Sequence, residues 1–325
     1  MDWVFSCVKF RREVHQGPFR TMNITAPTQA ATIDSAAPIV NAFTIDVEDY
    51  FHVEALSPVI PRDSWSQREY RCEQNTGRLL KLLDDHKVRG TFFVLGWVTQ
   101  RSPQLVRDIA AAGHEVACHG MSHRLIYKQS REEFREETRR SKGMLEDLLG
   151  QPVQGYRAAS FSIVKSSMWA LDELIDAGFS YDSSVFPVYH DNYGIPGAAL
   201  EPFEITAPSG RKLLEFPMTV AKWGAFKLPV SGGGYFRIFP YWLTRSSLSR
   251  VNQRDRRPFV FYLHPWEIDS EQPRIGASLK SRLRHYTNLA GCEARLRRLL
   301  SEFAFAPMRQ VLSKSSFAAH LPAEA

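Results

Sequence analysis

From Ala42 onward, short apolar runs alternate with stretches in which apolar residues recur every three or four positions, a pattern that predicts strands alternating with helices. The first run, Asn41 to Asp49, reads Asn-Ala-Phe-Thr-Ile-Asp-Val-Glu-Asp and breaks into three carboxylates, Asp46, Glu48 and Asp49. Thr91-Phe92-Phe93-Val94-Leu95 is continuously apolar, as a strand buried on both faces of a parallel sheet must be. Glu115 to Cys118 is a short strand leading into His119, another strand precedes Arg157, and Phe259 to Leu263 is the last clear buried one. Between them, Asn75 or Thr76 caps a helix running to about His86, with Leu79, Leu80, Leu82 and Leu83 on its apolar side. Pro103 opens a second helix, closed by Gly113. Ser130-Arg131-Glu132-Glu133 is a capping box whose helix runs to about Leu149 and stops at Gly150, and a further helix covers Ser166 to Ala177. The alternation predicts an α/β fold with a parallel (β/α) barrel rather than a sandwich. Between Val185 and Arg237 the pattern loosens into Gly- and Pro-rich sequence, read as short strands and loops at the barrel mouth. Gly232-Gly233-Gly234 lacks the Lys-Ser/Thr pair of a phosphate loop.

A chain of 325 residues holds one large α/β domain or two small ones. Residues 1–38, rich in Thr, Ala and Pro and without periodicity, are expected to be a poorly ordered tail, with Met22 a second candidate start. The first residues carry Asp2 where a secretory signal needs bases, and no apolar run approaches the roughly 18 residues that span a bilayer. The expectation is a cytoplasmic protein without a transmembrane segment. Cys7, Cys72, Cys118 and Cys292 lie too far apart for a zinc cassette and suggest no disulfide framework. Hydrophobic residues make up 44% and charged residues 23%, an ordinary globular balance, while the net charge is +6. Much of that excess sits between Arg274 and Arg298, where seven Lys or Arg accompany only Glu293. A solvated helical face explains it most simply, and attraction to an anionic polymer or membrane surface is the other reading. Nucleic acid is not expected, because no recognised binding motif accompanies the charge.

Three carboxylates crowded at a strand end repel one another unless a cation or a base role holds them. His119-Gly120-Met121-Ser122-His123 supplies two imidazoles four residues apart, which on a helical turn would share one face. Such a pair also arises by chance, so its context decides its weight. It follows a buried strand, as do the acidic corner, Arg157 and His264, and in parallel barrels the carboxyl ends of the strands open onto one face. Two His with one carboxylate and an open position form a zinc-type catalytic set. A separate carboxylate to take a proton, a separate His to give one, and an Arg to keep the base ionised complete the inventory for hydrolysing an amide.

These residues resemble the polysaccharide deacetylases, the chitooligosaccharide-deacetylase homology group (carbohydrate esterase family 4). Ala42 to Asp46 is similar to that family's Thr-Phe-Asp-Asp strand, His119 to His123 to its His-x-x-x-His motif, Arg157 to its third-motif arginine, and Leu263-His264 to its closing Leu-x-His. The resemblance covers roughly residues 42–270. Asp46-Val47-Glu48-Asp49-Tyr50-Phe51, Tyr262 to Asp269 and Arg284 to Leu289 resemble one branch, which accompanies exosortase-linked exopolysaccharide gene clusters of Gram-negative bacteria. The resemblance implies a distorted barrel of fewer than eight regular units over 39–270 and a family-specific extension over 271–325. It makes Asp46 the general base, His119 and His123 ligands of a divalent metal (Zn2+ foremost), Arg157 the tether of the base and His264 the general acid. The expected partner is an N-acetylated polysaccharide or lipid-linked oligosaccharide.

Two departures stand out. Val47 occupies the place of the family's metal-binding Asp, so Glu48 or Asp49 must replace it. Glu48 is preferred because a side chain two residues on leaves an extended strand on the same side as Asp46. Ala159 stands where relatives often carry Pro, which removes loop rigidity rather than a chemical group. Among the aromatics Trp223, Tyr235, Phe236 and Trp266, Trp266 is the best sugar-stacking candidate because it neighbours His264. Cys118 is read as core packing, and Asp182 either as a mouth residue or as a turn former. Glu267 and Asp269 either orient His264 or form ordinary ion pairs. Beside sugar N-deacetylation stand two other readings, hydrolysis of a small non-sugar amide on the same barrel and a non-catalytic carbohydrate-binding scaffold.

Overall fold

The structure is a computed structural model that describes residues 38–314 other than 191, 192 and 225, together with Leu321. The tail expected over 1–38 therefore lies, but for its last residue, outside the described residues, as do both candidate starts and Cys7. The strands are β1 (Val40–Val47), β2 (Thr91–Val94), β3 (Glu115–Cys118), β4 (Gly155–Tyr156), β5 (Tyr181–Asp182), β6 (Phe203–Thr206), β7 (Lys212–Glu215), β8 (Val220–Trp223), β9 (Phe226–Pro229), β10 (Val260–Leu263) and β11 (Ala304–Ala306). The helices are α1 (Cys72–Asp85), α2 (Gly96–Arg101), α3 (Pro103–Ala111), α4 (Arg131–Leu149), α5 (Ala170–Asp176), α6 (Gly233–Ile238), α7 (Tyr241–Gln253), α8 (Leu279–Tyr286), α9 (Cys292–Glu302) and α10 (Met308–Ser313). A nine-stranded sheet runs in the order β10-β1-β2-β3-β4-β5-β7-β6, with β11 also paired to β1. Every pairing in it is parallel except β6 with β7. The fold class is thus the parallel α/β barrel that the alternation predicted.

Between β7 and β10 the barrel wall is completed by the base of the separate β8–β9 hairpin. Met218 N donates to Val185 O, Val260 N to Thr219 Oγ1, and Tyr262 N to Ser231 O. At Gly232, next to that seam, φ is 131°, and a Cβ would come within 2.0 Å of the Tyr262 carbonyl oxygen, so only glycine fits.

Strand parity sorts the side chains into two cores. Phe43, Ile45, Val47, Phe92, Val94, Val116, Cys118, Tyr156, Phe261 and Leu263 pack outward under the helices, with Leu79, Leu82, Val106, Ile109 and Leu145. Ala42, Phe93, Ala117, Tyr181, Leu214, Val260 and Tyr262 fill the barrel interior instead. The period-2 alternation of a strand thereby aims Thr44, Asp46 and Glu48 inward and Val47 outward.

Local signals set most helix ends. The capping box at Ser130 forms as read, with Glu133 N donating to Ser130 Oγ and Ser130 N to the Glu133 carboxylate, and Gly150 stops α4 at φ 64°. Asn75 is not a cap, however. Helix α1 begins three residues earlier, because Asp49 Oδ2 accepts from the backbone N–H of Arg71 (2.6 Å) and Cys72 (2.7 Å). A carboxylate from a distant strand end satisfies the orphan donors of this helix, which local sequence does not record. The helix expected over Ser166 to Ala177 divides into a 3-10 turn, Lys165–Ser167, and α5. No helix among the described residues is long and apolar enough to cross a membrane.

Candidate active site

Four chemically distinctive side chains each occupy the position immediately after a strand. Glu48 follows β1, His119 follows β3, Arg157 follows β4 and His264 follows β10. Parallel pairing aligns these strand ends on one rim, and parity turns each of the four, with Asp46, into the barrel mouth. Asp46, Glu48, His119 and His123 are at most 4% exposed, and Arg157 is fully buried. The site is built from strand ends rather than from a flexible loop, which fixes its geometry.

Arg157 is held on all sides. Its Nη1 donates to Asp46 Oδ1 at 2.7 Å and to Thr44 Oγ1 at 2.8 Å, Nε donates to Ser183 O, and Nη2 to Ser183 Oγ. The guanidinium also lies 4.1 Å from the Phe93 ring centroid. A buried cation this well satisfied keeps its charge-assisted hydrogen bond to Asp46 and leaves Asp46 Oδ2 facing the mouth.

The His119–His123 pair does not lie on a helical turn. It spans an irregular loop after β3 in which Gly120 (φ 75°) and His123 (φ 50°) both adopt left-handed conformations. The loop is pinned where Gly96 N and Trp97 N, at the start of α2, donate to the carbonyls of Gly120 and Met121. Ser141 Oγ adds a further bond to Gly120 O. The four-residue spacing still converges the rings, but through backbone reversal instead of helical pitch. His119 Nδ1 donates to Arg157 O at 2.8 Å, which fixes the tautomer and leaves Nε2 as an open lone pair. Burial lowers the His119 pKa to about 4, so the ring is neutral.

Glu48 is the acid that joins these rings, and ligand atoms of Glu48, His119 and His123 lie within 4.8 Å of one another. Glu48 Oε2 is 2.9 Å from His123 Nε2, yet this buried oxygen has no hydrogen-bond partner among the described residues. Burial opposes ionisation of Glu48, but the His123 and His264 imidazoles hold its carboxyl well below the usual range. Two imidazoles, one with its outer nitrogen anchored, and one ionised carboxylate with an unsatisfied oxygen fit a divalent cation. Asp49 stands apart: its carboxylate is spent on Tyr50, Arg71 and Cys72 N–H groups.

His264 faces the same mouth from the end of β10, the strand paired with β1. Its Nε2 is 3.3 Å from Glu48 Oε1 and 3.9 Å from Asp46 Oδ2. Its Nδ1 lies 2.7 Å from Glu267 Oε1, and Glu267 Oε2 in turn accepts from Arg237 Nε at 2.6 Å. Burial disfavours a charged His264, but Glu48, Glu267 and Asp46 outweigh it and push the pKa up to about 9. Glu267 is itself held down to about 2, against burial, by Arg237 and His264. Of the two acids considered as orienters of His264, Glu267 takes that place, while Asp269 pairs with Arg71 and Asn75 of the α1 region. Arg237 was not singled out in the sequence. It lies in the short helix α6, which opens on a run of glycines, and its partners, Glu267 and the carbonyls of Arg284, His285 and Thr287, are all distant in the chain.

The sugar-stacking assignment of Trp266 does not fit the structure. The indole is 4% exposed, and its two faces are covered by His264 (5.2 Å between ring centroids) and His285 (4.3 Å). It is packing that supports the general region of His264, with no free face for a pyranose. Cys118 is buried in the outer core against Ser141, and burial pushes its thiol up to about 11, so it is no nucleophile.

Asp182 does not line the mouth either. It pairs in register with Glu215 on the outer side of the barrel, where Asp182 Oδ1 accepts from Ser184 Oγ and Glu215 Oε1 from Val185 N. The other oxygen of each, Asp182 Oδ2 and Glu215 Oε2, is buried without a partner. Burial raises both carboxyl pKa values, and a proton held between them relieves the repulsion. Raised folded-state values give stability that is complete below the unfolded pKa of about 4 and fades as pH rises through the folded values. Thermal melts from pH ~4 to ~8 should therefore show Asp182→Asn gaining on the wild type as pH rises, because the amide needs no proton. A constant difference across that range would remove the shared proton.

Two family models match separate parts of the chain. Residues 63–176 match the family model described as polysaccharide deacetylase, and residues 183–313 match a domain of unknown function (DUF3473). The chain carries a polysaccharide deacetylase domain. His119, His123 and Arg157 fall in the first matched segment and His264 in the second, whereas Asp46 and Glu48 precede both. A chitooligosaccharide deacetylase of Rhizobium leguminosarum bv. trifolii is 52% identical over 48 residues, 15% of this chain and 22% of that protein. A peptidoglycan-N-acetylglucosamine deacetylase of Bacillus cereus is 29% identical over 99 residues, 30% of this chain and 36% of that protein. The chain thus spans well under half the length of these curated relatives. A crystal structure assigned as a polysaccharide deacetylase of Mycobacterium smegmatis superposes with a TM-score of 0.59 at 21% identity, over 92% of this chain and 98% of that one. That likeness supports the deacetylase domain's barrel fold.

Proposed function

We propose that the protein is a metal-dependent hydrolase that removes N-acetyl groups from sugar residues of an exopolysaccharide or its precursor. The observation that carries this reading is the convergence of Glu48, His119 and His123 between two groups suited to opposite proton transfers, Asp46 and His264. The partial matches to deacetylases of chitooligosaccharide and of peptidoglycan N-acetylglucosamine support an N-acetylated sugar as substrate. Glu48, His119 and His123 would hold the ion, and their N and O donors suit Zn2+. A divalent ion there supplies Lewis acidity toward the acetamide carbonyl and acidifies water.

The remaining work falls to the chain's own residues. Asp46, held at Oδ1 by Arg157, accepts at Oδ2 the proton of the water that attacks the acetamide carbon. His264, protonated and steered by Glu267, donates from Nε2 to the amine nitrogen as the C–N bond breaks. The water oxygen ends in acetate and the sugar keeps a free amine, so atoms and charge balance. Each proton transfer of this kind contributes about 10² to 10⁴ in rate. Acetate release from a panel of N-acetylated glycans, with and without a chelator, tests the reading. Release that stops with chelator and returns with Zn2+ is expected, and release indifferent to chelation would overturn the metal's part in it.

A further inference from the structure

Helix α8 lies beside the catalytic mouth with an unusual outer face. Its buried side presents His285, which stacks on Trp266, and Trp266 stacks on His264. On its outer side Leu279 and Leu283, one helical turn apart, are 71% and 45% exposed. Around them stand Arg274, Lys280, Arg282 and Arg284, none of which has a carboxylate partner among the described residues. No acid occurs between Arg274 and Arg284. Elsewhere on the surface the arginines are commonly paired, as Arg245 and Arg298 are with Glu302. An eight-residue helix that exposes two leucines, ringed by Lys280, Arg282, the half-buried Arg284 and Arg274 stacked on Tyr286, presents an apolar surface that gains by being covered.

We propose that α8 is a membrane-contact surface that seats the protein on an anionic phospholipid bilayer. The leucines enter the boundary between headgroups and acyl chains, and the cations meet lipid phosphates. Charge complementarity selects an anionic partner. The aliphatic character of Leu279 and Leu283 selects a bilayer over an anionic polysaccharide, since sugar rings are recognised by aromatic faces and hydrogen bonds. Contact there holds the mouth at the bilayer surface, where an N-acetyl sugar on a lipid carrier is presented. That consequence rests on the proposed activity, whereas the contact itself does not.

The test reads binding separately from catalysis. Full-length protein is sedimented with phosphatidylcholine vesicles containing or lacking phosphatidylglycerol, at low and high salt. Co-sedimentation is expected on the anionic vesicles alone, weakening with salt and falling about tenfold or more in Leu279→Ser/Leu283→Ser and in Lys280→Glu/Arg282→Glu. Both variants should keep the wild-type melting temperature and hydrolyse a water-soluble N-acetylated oligosaccharide at the wild-type rate. Equal binding to neutral vesicles, no binding to either, or an undiminished leucine variant would overturn the proposal. So would a wild-type dimer that the leucine variant turns into a monomer, or displacement by a soluble anionic polysaccharide that depends on the cations alone. Vesicle binding without any deacetylation would leave this surface standing and remove only the proposed activity.

Discussion

Asp46→Asn is expected to lower deacetylation turnover at least about 10²-fold while bound metal stays at the wild-type level. Asparagine is nearly isosteric, and its carbonyl oxygen can still accept from Arg157 Nη1, which lies 2.7 Å from Asp46 Oδ1. The fold and the buried guanidinium therefore keep their partner. What the substitution removes is the second oxygen, facing the mouth, as a proton acceptor. Because Asp46 is not among the residues whose ligand atoms cluster, metal content should not follow it. Turnover near wild type with full metal would sink the general-base assignment. Loss of turnover together with loss of metal would instead place Asp46 among the ligands.

The fold was legible where local chemistry decides it. Buried strands such as Thr91 to Val94 announced themselves by continuous hydrophobicity, and α4 by its capping box and terminal Gly150. The strand-end positions of His119, Arg157 and His264 were legible for the same reason, since a chemical residue directly after an apolar run is a sequence-level observation. Illegible features depend on partners far along the chain. The start of α1 is set by Asp49, some twenty residues earlier, and no propensity at Asn75 reports that. The left-handed turn at His123 was hidden as well, because His-x-x-x-His reads equally as a helical face. Trp266 was misjudged from its neighbour: adjacency to His264 suggested access to substrate, whereas His285, brought in by α8, covers its other face. Arg237 anchors Glu267 through contacts spanning 30 residues and more, which no local pattern encodes.

Position 48 carries the other large expected effect, because it decides how a chain with Val47 would build the acidic side of the proposed metal site. Val47 packs outward with Ile45 in the outer core, so a carboxylate there would point away from the mouth and into apolar surroundings. Glu48, next along and opposite in parity, turns inward to His123 and His264. Its extra methylene, relative to Asp, supplies reach from a position just past the strand. Glu48→Ala should thus release the metal, with affinity falling well beyond the ~10- to 100-fold loss typical of removing an outer-shell partner, and abolish turnover. Asp49→Asn should do the reverse. It weakens the hydrogen bonds to Arg71 and Cys72 that start α1, lowering stability by about 1 kcal/mol, while metal content holds. Metal analysis of both variants beside their melting temperatures separates a ligand from a cap. Metal lost from Asp49→Asn and kept in Glu48→Ala would exchange the two roles.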